Sequence, residues 1–159
     1  ERALAASVWK LKHEPRLSRR AESVFKASLL SVKLGDDNLI FPVPQSRKRN
    51  LERGYNQAEV LASLVSKTLS VRMVSNAFVR TSHTPIHRAA MDRKARAATV
   101  ERSFEVKIPR LVTGRNIILV DDVLTSGSTA SACASVLKKN GAARVDVITL
   151  ARAVMHGRD

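Results

Sequence analysis

Asn116-Ile-Ile-Leu-Val-Asp-Asp-Val-Leu-Thr-Ser-Gly-Ser-Thr129 is an apolar run that ends in two carboxylates and continues into a loop of small residues. Ile117 to Val120 are aliphatic without a polar alternate face, the pattern of a central parallel strand covered on both sides. Asp121 and Asp122 are therefore expected at the carboxyl end of that strand, the binding edge of an open α/β sheet. Thr125, Ser126, Ser128 and Thr129 supply hydroxyls, and Gly127 lets backbone N–H groups approach an anion closely. Ala130, Ala134, Val136 and Leu137 follow at helical spacing, with Gly141 as a stop. The loop thus opens a helix, where unpaired N–H groups and the macrodipole favour a phosphate. The plainer alternative is that the acids form a turn and the hydroxyls merely cap the helix.

Outward from this stretch, the pattern is that of an α/β chain. Residues 2–12 place Leu4, Val8 and Leu11 on one helical face, and residues 17–32 repeat this with Ala21, Val24, Phe25, Leu29 and Val32. A turn over residues 35–38 precedes a strand over residues 39–43 that stops at proline. A helix is expected over residues 57–69 and a strand over residues 71–78. The basic, Ala-rich interval over residues 81–102 keeps no apolar stripe and is long for a connector, which marks a lid or a disordered segment. A strand over residues 115–120, the helix from Thr129 and a strand over residues 145–151 complete a strand–helix–strand unit with a right-handed crossover. No internal repeat or low-complexity tract is present.

At 159 residues the chain is expected to form one domain, burying roughly two thirds of its unfolded surface. Residues 1–34 form N-terminal helices, residues 35–152 the binding core, and residues 81–102 a mobile lid loop. No apolar run approaches the ~20 residues of a membrane span, so neither a membrane partner nor a membrane location is expected. A cytoplasmic location fits Cys133, the single cysteine, which is expected as a structural thiol inside a helix.

The net charge of +14 calls for an anionic partner. Basic residues bunch at Arg16, Arg19 and Arg20, at Arg47, Lys48, Arg49 and Arg53, and at Arg88, Arg93, Lys94, Arg96 and Arg102. With only Trp9, Tyr55 and four Phe, a base-stacking platform is poorly supported, whereas salt-sensitive contact with a nucleic-acid backbone stays open.

The paired carboxylates with the hydroxyl-rich loop resemble the binding signature of the type I phosphoribosyltransferases. Pro42-Val-Pro44, Arg49 and Arg53-Gly-Tyr-Asn-Gln-Ala58 are similar to the ComF-like branch of that family, named after a DNA-uptake competence protein. Arg80 with Thr84, then Arg96 and Phe104, match that branch less fully. The resemblance runs from about Trp9 to Arg152. It implies an α/β fold with a central, mainly parallel sheet flanked by helices, and binding of phosphoribosyl pyrophosphate (PRPP).

Under this resemblance Asp121 and Asp122 are the catalytic pair, contacting the ribose hydroxyls, and Thr125, Ser126, Gly127, Ser128 and Thr129 hold the 5-phosphate. Pro44, Arg49 and Arg53 would meet the pyrophosphate, unless they are a solvated basic turn. Arg80, Arg93 and Arg96 are lid candidates. Asn56 and Gln57 either cap a helix or touch ligand, and capping is favoured.

The implied reaction is Mg²⁺-dependent transfer of ribose 5-phosphate from PRPP to a nitrogenous acceptor with release of pyrophosphate. Mg²⁺ would be carried by PRPP without direct protein ligation, unless Asp121 and Asp122 contribute. The alternatives are a PRPP-binding protein without transfer activity, associated with DNA uptake, and a basic nucleic-acid-binding accessory domain. Nucleic acid, a protein of the competence machinery and a second copy of the chain stay open as partners beside PRPP and pyrophosphate.

The chain departs from relatives in three respects. Thr125 stands where hypoxanthine-type members carry a carboxylate, which points away from that substrate class. Ile86, His87 and Thr99 stand where ComF-like members show Gln and Asn. Full-length ComF-like proteins often carry a cysteine-rich zinc module at the N-terminus. This chain lacks one and starts Glu1-Arg2-Ala3, so it is expected to be cut from something longer.

Overall fold

The structure, a computed structural model, describes residue 7 and residues 9–81 and 99–153. In chain order the elements are α1 (Arg19–Leu29), β1 (Asn38–Pro42), α2 (Arg47–Arg53), α3 (Gln57–Leu69), β2 (Phe78–Arg80), β3 (Phe104–Val106), a 3₁₀ turn (Pro109–Leu111), β4 (Asn116–Leu124), α4 (Ser128–Lys139) and β5 (Arg144–Arg152). β4 is the middle strand of a parallel sheet in the order β1-β4-β5, and β2 and β3 form a separate antiparallel pair.

The aliphatic run that suggested a two-sided strand divides by parity. Ile117 and Leu119 join Leu39 and Phe41 in a cluster with Cys133, Val136 and Leu137 of α4 and with Phe78 and Phe104 of the β2–β3 pair. Ile118 and Val120 join Ile40 in a second cluster with Leu61, Ala62 and Val65 of α3 and Phe25 and Leu29 of α1. Successive strand side chains point to opposite faces, so the sheet needs a helix layer on each side. Burying each large aliphatic side chain here contributes roughly 1.5–3 kcal/mol.

α3 spans the residues its periodicity indicated. It is started by Asn56, whose Oδ1 accepts from the Ala58 N–H at 3.0 Å while its Nδ2 donates to the Val43 carbonyl at 3.1 Å. One buried amide thus caps a helix and fastens it to the end of β1.

The structure corrects several expectations. Residues 71–78 are not a strand: only Met73 bridges to Ile40, and β2 begins at Phe78. Residues 47–53 form α2 and not a basic loop, between the Ser46 cap and Gly54 in the left-handed region at φ +75°. β4 does not stop at Val120, because β5 keeps pairing with it through Asp121, Val123 and Leu124. α1 ends at Leu29, and Val24 and Val32, placed on the buried face from sequence, are exposed. The helix expected over residues 2–12 and the lid interval fall largely or partly outside the described residues.

Asn56→Ala removes both a cap and a buried tether. It is expected to lower the unfolding free energy by about 2 kcal/mol, seen as a lower denaturant midpoint at unchanged slope. Asn56→Asp, which keeps the cap acceptor but loses the donor to Val43, should lose less.

Candidate active site

β1 ends at Pro42, opposite Val120, and the Val43 N–H donates to the Val120 carbonyl at 2.8 Å. The ladder goes no further, because the Val43 carbonyl accepts from Asn56 Nδ2 and the Asp122 N–H turns to Asp121 Oδ1. β4 runs on beside β5 alone, so Asp121 and Asp122 emerge at an edge where the sheet has lost one neighbour. A cavity of about 420 Å³ opens there, lined among others by Lys12, Pro44, Arg49, Arg53, Gln57, Arg80, Asp121, Asp122, Thr125 and Thr129.

The two carboxylates are consecutive in a strand. Asp121 follows Ile117 and Leu119 toward α4, where its charge acts on Cys133, while Asp122 has no register partner on β5 and Val123 packs with the Ile118 and Val120 cluster. Local bonds hold both: the Asp122 N–H donates to Asp121 Oδ1 at 2.9 Å, and the Val123 N–H to Asp122 Oδ1 at 2.8 Å. Burial, and then the adjacent Asp122 charge, raise Asp121 from the ordinary aspartate value near 3.8 to about 7. Cys133 is fully buried, and desolvation with the Asp121 charge pushes its thiol upward, which leaves it inert as a nucleophile near neutrality. The structural reading of this cysteine stands.

The hydroxyl loop begins where β4 ends. The N-cap of α4 is Gly127 at φ +74°, and no side chain caps the helix. The hydroxyls are therefore not the ordinary cap that the plainer reading required. Ser126 Oγ instead accepts from the Ser128 N–H at 3.4 Å and donates to Ser128 Oγ at 3.0 Å. Thr125 and Thr129 line the cavity, while Ser126, Gly127 and Ser128 are outside its lining.

α2 explains how two arginines reach one place. Arg49 and Arg53 are four residues apart on a helix and share a face, and both line the cavity. Leu51 is 78% exposed, so no apolar stripe holds α2 in place. Its caps do: Ser46 Oγ accepts from the Arg49 N–H, and the Gly54 N–H donates to the Asn50 carbonyl at 2.8 Å. Gln45 Nε2 also donates to the Tyr55 carbonyl at 2.6 Å and to Asn50 Oδ1.

Arg80 ends β2, lines the cavity and lies 5.3 Å from the Phe104 ring centre. Arg93 and Arg96 lie outside the described residues. Within the described end of the lid interval, the Glu101 carboxylate accepts from Ser135 Oγ at 3.1 Å and from Lys139, both on α4.

Sequence reasoning missed Lys12 and Gln45 as cavity residues. The signal for Lys12 was its neighbour: Leu11 is fully buried, and its carbonyl accepts from the Tyr55 hydroxyl at 2.8 Å. That bond carries the N-terminal segment to the cavity rim. Among the described residues, no group of three or more His, Cys, Asp or Glu is placed to hold a metal ion. The hard oxygens of Asp121 and Asp122 suit Mg²⁺ as a supplement to ligand oxygens and water, not as a cage.

A carboxyl whose folded-state pKa is raised binds its proton more tightly when folded. The ligand-free protein should therefore lose stability as pH rises from about 3.8 to about 7, then level off. Asp121→Asn should be the more stable form at pH 8, by up to about 4 kcal/mol. Its advantage should vanish below pH 4 in denaturant titrations at each pH.

Comparison with known proteins places this geometry. The model of the phosphoribosyl transferase domain matches residues 55–159. The chain is 33% identical over 150 residues to DNA utilization protein YhgH of Escherichia coli O6:H1, covering 88% of this chain and 65% of that protein. It is 35% identical over 115 residues to competence protein F of Haemophilus influenzae, covering 72% and 50%. To competence protein ComFC of Bacillus subtilis it is 30% identical over 152 residues, covering 92% and 58%. The chain thus spans between half and two thirds of the length of these relatives.

Among solved structures, the glutamine PRPP amidotransferase of B. subtilis superposes with TM-score 0.58 at 13% identity, over 86% of this chain and 27% of that one. Adenine phosphoribosyltransferase of Leishmania donovani does so with TM-score 0.50 at 11% identity, over 84% and 52%. These likenesses establish the fold. Among the described residues, no helix is long and apolar enough to cross a membrane. With the family model over two thirds of its length and relatives of the competence type along most of it, the chain belongs to the type I phosphoribosyltransferase family, in its ComF-like branch.

Proposed function

We propose that the cavity binds PRPP and that the chain forms a phosphoribosyltransferase core. The observation that carries this reading is the meeting of two sequence-distant stretches in one cavity: Arg49 and Arg53 from α2, and Asp121, Asp122, Thr125 and Thr129 from the end of β4 through the first turn of α4. Each group suits one part of the ligand. The hydroxyl loop at an uncapped helix start takes the 5-phosphate. The carboxylates accept from the ribose hydroxyls. The i,i+4 guanidinium pair takes the diphosphate through charge-assisted bonds.

In the reaction, the bond from the anomeric carbon to the diphosphate oxygen breaks as a bond to an acceptor nitrogen forms, and the nitrogen loses a proton. Positive charge builds on the ribose between these events. Asp121 and Asp122 stand where ionised carboxylates favour that charge, and Arg49 and Arg53 where cations favour the departing pyrophosphate. Mg²⁺ would neutralise part of the diphosphate charge when bound with the substrate. The segment from Thr81 to Arg102, with Arg93 and Arg96, is assigned as the lid that keeps water from the anomeric carbon.

A second reading, contact with nucleic acid, is favoured by the +14 charge and by the exposed Arg19, Arg20, Arg47 and Lys48, and fits relatives named for DNA utilization and competence. It predicts single-stranded or duplex DNA affinity that falls steeply with salt and ignores substitutions at Asp121 and Asp122.

Titration calorimetry with PRPP, with and without Mg²⁺, tests the principal reading. Saturable binding that the Asp121→Asn/Asp122→Asn variant loses by at least about a hundredfold supports it. Wild-type affinity in that variant, with its fold intact, would contradict it. Pyrophosphate release on addition of nitrogenous acceptors then separates a transferase from a protein that only binds PRPP.

A further inference from the structure

Arg53 to Gln57 carries a side-chain role at each non-glycine position but the last. Arg53 lines the cavity, and Gly54 ends α2 at φ +75°. Tyr55 holds the Leu11 carbonyl, and Asn56 caps α3 while binding Val43. Gln57 is 4% exposed and lines the cavity, and its Nε2 has no hydrogen-bond partner among the described residues. The cap of α3 belongs to Asn56, so capping does not account for Gln57. A buried amide N–H without an acceptor destabilises a fold, and an apolar side chain of similar size would avoid that cost.

We infer that Gln57 is a ligand-binding residue whose side-chain N–H donates to an oxygen of the diphosphate of PRPP. The assignment rests on the PRPP reading above and deepens it. Position selects the diphosphate end: Gln57 follows Asn56, which is tied to the Val43 carbonyl beside Pro44, and it shares the cavity lining with Arg49, Arg53 and Lys12. A neutral donor adds direction where the cations add charge. Anionic oxygens accept more strongly from an N–H than neutral ones do.

The test uses Gln57→Met, which keeps the volume and removes the donor, and Gln57→Glu, which keeps the shape and replaces the donor with a carboxylate. Thermal unfolding of the ligand-free protein should show Gln57→Met no less stable than wild type. Its affinities for PRPP and for pyrophosphate should fall about tenfold, with affinity for ribose 5-phosphate unchanged. Gln57→Glu should fall further, and it carries the test alone if the Met variant does not fold. Unchanged PRPP affinity in a folded variant overturns the inference, as does a loss confined to ribose 5-phosphate. Because the double Asp→Asn variant is run beside them, Asp-dependent PRPP binding that ignores Gln57 sinks only this inference. A wild-type protein that binds no PRPP sinks both.

Discussion

The end of β1 at Pro42 is the constraint on which the site depends. Val43 makes the last bond to β4, at the Val120 carbonyl; its own carbonyl accepts from Asn56 Nδ2, and the Asp122 N–H, which would be the next donor of the ladder, turns to Asp121 Oδ1. β4 and β5 continue side by side to Leu124 and Arg152. Of the next two residues of β4, Asp121 is paired with Thr149 of β5, Asp122 has no register partner there, and both line the cavity. Had β1 run two residues further, Asp121 and Asp122 would abut a strand, and no cavity would separate them from α2.

That placement has an electrostatic cost, and the cost fits a purpose. Two adjacent carboxylates at the edge of an apolar sheet raise Asp121 to about 7, mainly through burial. Lys12, Arg49, Arg53 and Arg80 line the same cavity, so it holds four cations and two acids. An ion of one sign would satisfy only the groups of the opposite sign. A ligand that joins anionic ends to a hydroxyl-bearing middle would satisfy all of it, and a sugar bearing a phosphate and a diphosphate is such a ligand. Perturbed carboxylates of this kind concentrate at functional sites.

Much of this was legible in the chain. Ile117 to Val120 announced a strand buried on both faces, and the two clusters that divide them by parity are the outcome. The helix over Gln57–Leu69 was readable because its apolar positions recur with helical period and Asn56 precedes them. α2 was not readable, for the opposite reason. Its seven residues bury no side chain, and its one large apolar residue, Leu51, faces solvent. It is specified by its two caps and not by burial, so a periodicity argument passes over it. The arginines were singled out by type, and the helix places them one turn apart on the cavity wall. Lys12 and Gln45 reach the cavity through contacts across the fold, such as Tyr55 to Leu11, which no local pattern encodes. Residues 71–77 looked like a strand by composition, but they form a single bridge, from Met73 to Ile40 of β1. β propensity without a neighbour to pair with is not enough.

The account's central claim is that one ligand bridges α2, the end of β4 and the loop before α4. A crystal structure of the protein grown with PRPP and Mg²⁺ tests this most directly. The account predicts the 5-phosphate against the Thr125–Thr129 loop, the ribose hydroxyls on Asp121 and Asp122, and the diphosphate toward Arg49 and Arg53. PRPP bound elsewhere on the molecule, or reversed so that the diphosphate lies in the hydroxyl loop, would contradict it.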